Sequence, residues 1–404
     1  MEAKMAHLIF SVCSLVLILA ELFHFHGASA ARTTAIGFTY TPSPGLPSPE
    51  QVANYLSALD VSAVRIVDPT PSAVRAFSYT NISLLLSVPN YLVPSFAKNR
   101  SSADLWLYDH VLPFYPRSRV SIISVGADVI SSASSGVYDP STAILPAIQN
   151  LHLALRDFGI RSISVSTTFS FTNVVTETFP PSSGEFQEPA NSVIMRPLLQ
   201  FLEDTNSSFL VNLYPYTVYK LHAEVTVGLA LFREGAFNYR DDVITGVRYN
   251  NLFDMMVDAV VAAMAVAGHE SIPIVVTETG WPSSESGSGN QQSGAVADAS
   301  HLYAEMYLKG LVSHLRSGMG TPLRQEGVSQ TFIYQLFDEM YDKGNGSREE
   351  GQHWGVVFPN MTLKYDIEFS GSWRLRDHKI CEIFITFHFG LSLIIFDLLF
   401  LHLQ

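Results

Sequence analysis

Ile274-Val275-Val276-Thr277-Glu278-Thr279-Gly280-Trp281-Pro282 is the stretch on which the fold turns. Its branched apolar residues predict a buried strand over Ile272 to Thr277, and the glycine and proline behind it stop that strand. A carboxylate directly after a buried strand, beside a large aromatic, is a polar group delivered to one end of a sheet. Seven more short runs of the same kind occur: Ala35 to Tyr40, Ala63 to Val67, Ile82 to Val88, Val120 to Val125, Ser162 to Thr167, Phe209 to Tyr214 and Thr331 to Phe337. The stretches between them carry helical periodicity. Ser48-Pro49-Glu50 supplies an N-cap and a first-turn proline ahead of Val52, Leu56 and Leu59, and Asn251 to Gly268 carries an apolar face closed by a glycine. Met255, Met256 and Met264 on that second helix read as packing. Eight strand–helix units in about 340 residues predict an α/β fold, a single (β/α)8 TIM barrel. The rival is an open doubly wound sheet, which usually carries a glycine-rich first turn. Here the first run leads into Tyr40-Thr41-Pro42-Ser43-Pro44, with no phosphate-cradling amides.

The barrel is expected over 31–370. Ahead of it, residues 1–30 read as a secretory signal peptide: Lys4 precedes the apolar run Leu8 to Leu22, and Ala28-Ser29-Ala30 offers small residues for cleavage. A membrane anchor is the other reading, but the run is short for a span. Behind the barrel, 371–404 follow Ser370-Gly371-Ser372 with a basic stretch, Arg374 to Lys379, and an apolar run from Ile380 to Leu403. Small residues, polar spacer and hydrophobic end resemble a glycosylphosphatidylinositol-anchor signal. A transmembrane helix and a tail foreign to the working protein are the alternatives, and Glu382 and Asp397 inside the run speak against both membrane readings.

Both cysteines, Cys13 and Cys381, fall in these terminal segments, so burial without disulfides must hold the barrel. Cysteine-based zinc and iron–sulfur sites are excluded, and the 13 histidines show no HExxH-type spacing, so neither metal nor cofactor is expected. A formal charge of −13 argues against nucleic acid as partner. Sequons at Asn81, Asn99, Asn206, Asn345 and Asn360 agree with passage through a glycosylating, secretory pathway. A monomer is the default expectation.

In such a barrel catalytic side chains follow the C-terminal ends of strands. Glu278 stands after the seventh run. Asp128 stands after the fourth, which closes Ser124-Val125-Gly126-Ala127-Asp128. Glycoside cleavage with retention uses two carboxyl groups about 5–5.5 Å apart, one attacking the anomeric carbon and one protonating the leaving oxygen. Strands four and seven face each other across a barrel mouth, which suits that geometry. A strand-end salt bridge or a helix cap is the other reading of Glu278.

The run TETGWPSSES, Thr277 to Ser286, resembles the strand-seven signature of the plant endo-β-1,3-glucanases, glycoside hydrolase family seventeen. The likeness extends in order along the chain. Ile36-Gly37 with Tyr40 and Leu46-Pro47-Ser48-Pro49 resembles the family's opening strand, Val64-Arg65-Ile66-Val67-Asp68 its second and Ser87-Val88-Pro89-Asn90 its third. Val211-Asn212-Leu213-Tyr214-Pro215-Tyr216 is similar to its sixth, and Leu336-Phe337-Asp338-Glu339 to its eighth, ahead of His353-Trp354-Gly355-Val356. The resemblance implies a retaining hydrolase of internal β-1,3-glucosidic bonds that needs no cofactor and takes β-1,3-glucan polysaccharide. It implies Glu278 as nucleophile and Asp128 as acid/base. Tyr40, Ala127, Asn212, Tyr214, Trp281, Phe337 and Glu339 fall at positions that would line the sugar cleft, where aromatic faces suit the apolar face of a glucose ring. Core packing is the alternative for each aromatic.

Two departures matter. The family's fourth strand ends Asn-Glu, whereas this chain has Ala127-Asp128. The alanine cannot make the asparagine's contact near the 2-hydroxyl, and the aspartate is one methylene short, withdrawing the acid by roughly an ångström. A lysine expected three positions after Glu339 is Asp342, followed by Lys343. Two readings follow: a slow or retuned glucanase, and a glucan-binding protein with little turnover.

Overall fold

The computed structural model describes residues 34–129, 141–176, 179–188, 190–283, 298–338, 341–342, 348–349 and 353–369. Eight strands form the frame: β1 (Ala35–Tyr40), β2 (Ala63–Val67), β3 (Ser83–Val88), β4 (Arg119–Ala127), β5 (Ser164–Ser170), β6 (Phe209–Asn212), β7 (Ile274–Thr279) and β8 (Gln330–Ile333). Each pairs in parallel with its neighbours, and the sheet closes in the order β1-β8-β7-β6-β5-β4-β3-β2. Closure leaves no unpaired strand edge. The expected (β/α)8 barrel is therefore the fold.

Strand alternation sorts the side chains. On β2, Val64 and Ile66 join the large cluster shared with the helices, while Ala63 packs with Leu85, Ile122, Leu210, Val275 and Phe332 in a small separate cluster. Those six come from six different strands and plug the barrel, as its narrow lumen requires. Arg65, two residues beyond Ala63, shares its direction one layer higher.

The helices begin where the sequence marks them. The helix Pro49–Ala58 opens with a reciprocal cap: Gln51 N donates to Ser48 Oγ at 3.3 Å, and Ser48 N donates to Gln51 Oε1 at 2.9 Å. The helix Leu252–Val266 is capped by Asn251, whose Oδ1 accepts from Asp254 N at 2.8 Å, and Gly268 follows its end at φ 86°. Met255, Met256 and Met264 are buried there.

Several strand limits differ from expectation, and the differences move functional residues. β5 runs on to Ser170 rather than stopping at Thr167, and β7 runs to Thr279, so Glu278 is the penultimate residue of its strand. β8 ends at Ile333, leaving Phe337 beyond it. A parallel ladder is made by backbone groups and continues through polar Thr277-Glu278-Thr279, where apolar patterning has already stopped. The asparagines of the four described sequons, Asn81, Asn99, Asn206 and Asn360, are exposed. The leader 1–30, the tail 371–404, Asn345, Glu339 and Lys343 lie outside the described residues. No helix among the described residues is long and apolar enough to cross a membrane.

Candidate active site

An open mouth of 470 Å³ lies where β2, β4, β6, β7 and β8 end, with Glu278 on its wall. Glu278 sits at a register shift between β6 and β7, opposite Asn212. Its Oε1 is ion-paired with Arg65 Nη1, reaching from β2. Its Oε2 accepts a hydrogen bond from the Tyr214 hydroxyl at 2.5 Å. Arg65 is 2% exposed, so the pair is shielded on the arginine side, where an unpaired guanidinium would be costly. Burial first, then the Glu278 charge, push the Tyr214 hydroxyl well above the usual tyrosine range, which keeps it a donor.

Three half-buried rings stand around this carboxylate. Tyr214 and Trp354 meet edge to face at 5.3 Å, Tyr214 and Tyr334 at 6.1 Å, and Tyr334 and Trp354 at 5.9 Å. All three line the mouth. Such a wall offers apolar ring faces, with the Thr41 and Thr217 hydroxyls beside them on the same mouth.

Across the mouth, Ala127 is fastened by the Asn90 side chain: Nδ2 donates to Ala127 O at 2.8 Å, and Ala127 N donates to Oδ1 at 2.7 Å. Gly126 and Asp128 on either side hold φ of 68° and 52°. Ala127 lines the mouth. Asp128 is not among the lining side chains; its Oδ1 accepts from Ser170 N at 2.6 Å and its Oδ2 from Ser170 Oγ. The extension of β5 to Ser170 creates this clamp.

Tyr214, Ala127 and Glu278 thus line one mouth. Asn212 is buried and its Oδ1 accepts from Thr277 Oγ1 at 2.7 Å, which ties β6 to β7. Tyr40, Trp281 and Phe337 do not present faces to the mouth and stand as corrections. Tyr40 is 1% exposed and packs edge-on against Phe337 at 6.3 Å, because the chain turns back after Ile333. Trp281 is 2% exposed, lies 5.1 Å from the Tyr216 ring and 5.7 Å from Tyr307, and donates its indole N–H to Asp298 O at 2.8 Å. Having passed the end of β7, it packs on the outer helices.

Arg65, Tyr334 and Trp354 are site residues to which sequence reasoning assigned no role. A charged residue inside the otherwise apolar Ala63-Val64-Arg65-Ile66-Val67 was a usable signal, since a buried arginine demands a partner. Tyr334 would have followed from a correct end for β8. Among the described residues no group of three or more His, Cys, Asp or Glu could hold a metal ion.

The family model for glycosyl hydrolases family 17 matches residues 36–369. Glucan endo-1,3-beta-glucosidase 13 of Arabidopsis thaliana is 34% identical over 328 residues, covering 81% of this chain and 62% of that protein. Glucan endo-1,3-beta-glucosidase of Vitis vinifera is 32% identical over 326 residues, covering 80% and 88%. The chain spans 62%, 66% and 58% of the length of three Arabidopsis relatives. Among solved structures, CJP38, a beta-1,3-glucanase and allergen of Cryptomeria japonica pollen, superposes with a TM-score of 0.72 at 33% identity, covering 83% of this chain and 99% of that one.

Proposed function

Because the chain belongs to glycosyl hydrolases family 17, we propose that it is a retaining endo-β-1,3-glucan hydrolase with Glu278 as nucleophile and Asp128 as acid/base. The observation that carries this reading is Glu278 itself, a carboxylate in an open mouth with one oxygen on Arg65 and the other on Tyr214. Glu278 attacks the anomeric carbon while Asp128 gives a proton to the departing glycosidic oxygen. Water, deprotonated by Asp128, then cleaves the glycosyl ester. Arg65 and Tyr214 fix the aim of the nucleophile, and Tyr214, Tyr334 and Trp354 hold the sugar ring.

Asp128 is engaged by Ser170, and Ala127 offers no side-chain hydrogen bond to the sugar. Both features favour slow turnover. They equally support the second reading, a glucan-binding protein with little hydrolysis. Laminarin hydrolysis by the purified protein beside Glu278→Gln and Asp128→Ala separates the two. Activity at least about a hundredfold above both variants supports the enzyme; glucan binding with turnover no greater than theirs rejects it.

The leader and tail support secretion to the cell wall, with a lipid anchor at the outer face of the plasma membrane. Release by a phosphatidylinositol-specific phospholipase tests the anchor, and a soluble product without lipid rules it out.

A further inference from the structure

The excursion between β6 and the helix Leu252–Val266 carries a second concave surface, of 380 Å³, that shares no lining residue with the mouth. Tyr239 backs it. The Arg248 guanidinium lies 4.0 Å from the Tyr239 ring centroid, and Arg248 is fixed in turn by Asp241, with Nε to Oδ1 at 2.7 Å and Nη2 to Oδ2 at 2.9 Å. The phenol is thus braced from one side while 38% of the residue stays exposed. Phe237, two positions earlier, lines the same surface and is 85% exposed. Neighbouring residues are hydrogen-bonded: Thr226 Oγ1 donates to Asn238 Oδ1 at 3.0 Å, and Asp242 accepts from Ser182 N and Ser182 Oγ, each at 2.9 Å. A bare phenyl beside a braced phenol leaves apolar rings in water with no packing return, which marks a place for a ligand with a flat apolar face.

The charges around the groove are already engaged. Asp241 is held by Arg248, Glu224 pairs with His222 at 3.2 Å, and Arg240 donates to the Glu224 carbonyl. A charged ligand would have to displace these contacts, whereas a neutral polyhydroxylated one fits them as they stand. The groove also belongs to the segment that supplies Tyr214 to the mouth. Only the helix Pro215–Leu221 and a few residues separate Tyr214 from Glu224, so the two lie within roughly 20 Å along the chain, a distance one polysaccharide can bridge.

We propose that this groove is a second binding site for a neutral β-1,3-glucan chain, whose glucose rings stack on Phe237 and on the open face of Tyr239 while another part of the polymer occupies the mouth at Glu278. The proposal rests on the glucanase reading and adds a site remote from the reacting bond. Its consequence is selective: long or insoluble glucan gains from the second contact, and a short oligosaccharide does not.

The test uses the full chain with Phe237→Ala and Phe237→Ala/Tyr239→Ala, and compares retention on insoluble β-1,3-glucan, sugar release from it, and turnover of laminaritetraose. The expected result is at least about a fivefold loss of retention and release on the polymer, with tetraose turnover and thermal midpoint unchanged, and with Tyr239→Phe behaving as wild type. Unchanged retention in the double variant overturns the proposal, as does an equal loss on polymer and tetraose, or a wild-type chain that binds no glucan. An altered oligomeric state with glucan retention intact assigns the groove to a second copy of the chain and overturns it too. Retention that depends on Phe237 in a chain with no turnover supports the groove and rejects only the hydrolase reading.

Discussion

Arg65 crosses from β2 to pair with Glu278 on β7, three strands away round the closed barrel. The pairing makes one charged residue of an apolar strand the fixed mount for the proposed nucleophile. Replacing Arg65 by methionine keeps the bulk and removes the mount. Turnover of laminarin by Arg65→Met is expected to fall about a hundredfold or more, chiefly in kcat, because the lost contact aims a reacting group. Steady-state kinetics on purified protein check this, and a change confined to KM would count against it.

Tyr214 makes the other contact to the same carboxylate, at 2.5 Å. A hydrogen bond to a charged acceptor is worth about 1.5–3 kcal/mol, so Tyr214→Phe should lower kcat/KM by roughly one to two orders of magnitude. The ring survives this substitution, so glucan binding should persist while hydrolysis drops.

Asp128 and its clamp are the grounds for proposing slow turnover. The double change Ala127→Asn/Asp128→Glu lengthens the acid and adds a hydrogen-bonding side chain at the mouth. Laminarin hydrolysis is expected to rise by roughly a hundredfold. Ser170→Ala, which removes the hydroxyl on Asp128 Oδ2 but leaves the backbone donor, should raise it only severalfold, in keeping with about 1 kcal/mol for one hydrogen bond. No gain from the double variant would remove Asp128 from the proposed role.

Stability should change with pH in two separate windows. Asp258 is fully buried, and that burial raises its carboxyl from 3.8 to about 6 despite hydrogen bonds from Thr321 Oγ1 at 2.5 Å, Leu323 N at 3.0 Å and the Tyr249 hydroxyl at 2.9 Å. The folded chain then binds the proton more tightly than the unfolded chain. This contribution is complete below about pH 4 and is lost as pH rises to about 6, at a cost of roughly 2–3 kcal/mol. Asp242 goes the other way. Burial would raise it, but the N–H groups of Thr245, Ser182 and Ile244 and the Ser182 hydroxyl hold it at about 2, so its contribution is present above about pH 4 and lost as pH falls towards 2. Urea unfolding across pH should show Asp258→Asn abolishing the first slope and leaving the second.

The limits of β1 and β2 coincide with their apolar runs, and the caps at Ser48 and Asn251 sit where the residue types place them. These signals are local, so one segment suffices to read them. Glu278 was legible because a carboxylate interrupts a buried run, although its strand continues one residue further. What failed was the fate of the aromatics. Trp281 and Trp354 look alike in sequence, yet one packs among Tyr216 and Tyr307 and the other joins Tyr214 and Tyr334 at the mouth. That choice depends on where β7 and β8 end, which backbone pairing sets through register shifts beside Glu278 and Ile333. The Ser170 clamp on Asp128 depends in the same way on how far β5 runs.

The most direct test of Glu278 as nucleophile removes any need for an acid. A 2-deoxy-2-fluoro-β-laminaribiosyl fluoride carries a leaving group that departs without protonation, so its capture depends on the attacking carboxylate whatever Asp128 can do. Intact-mass analysis followed by peptide mapping should show one 2-deoxy-2-fluoro-laminaribiosyl group esterified to Glu278, and none in Glu278→Gln. A label on another carboxylate, or no label while the sugar is hydrolysed, would contradict the account.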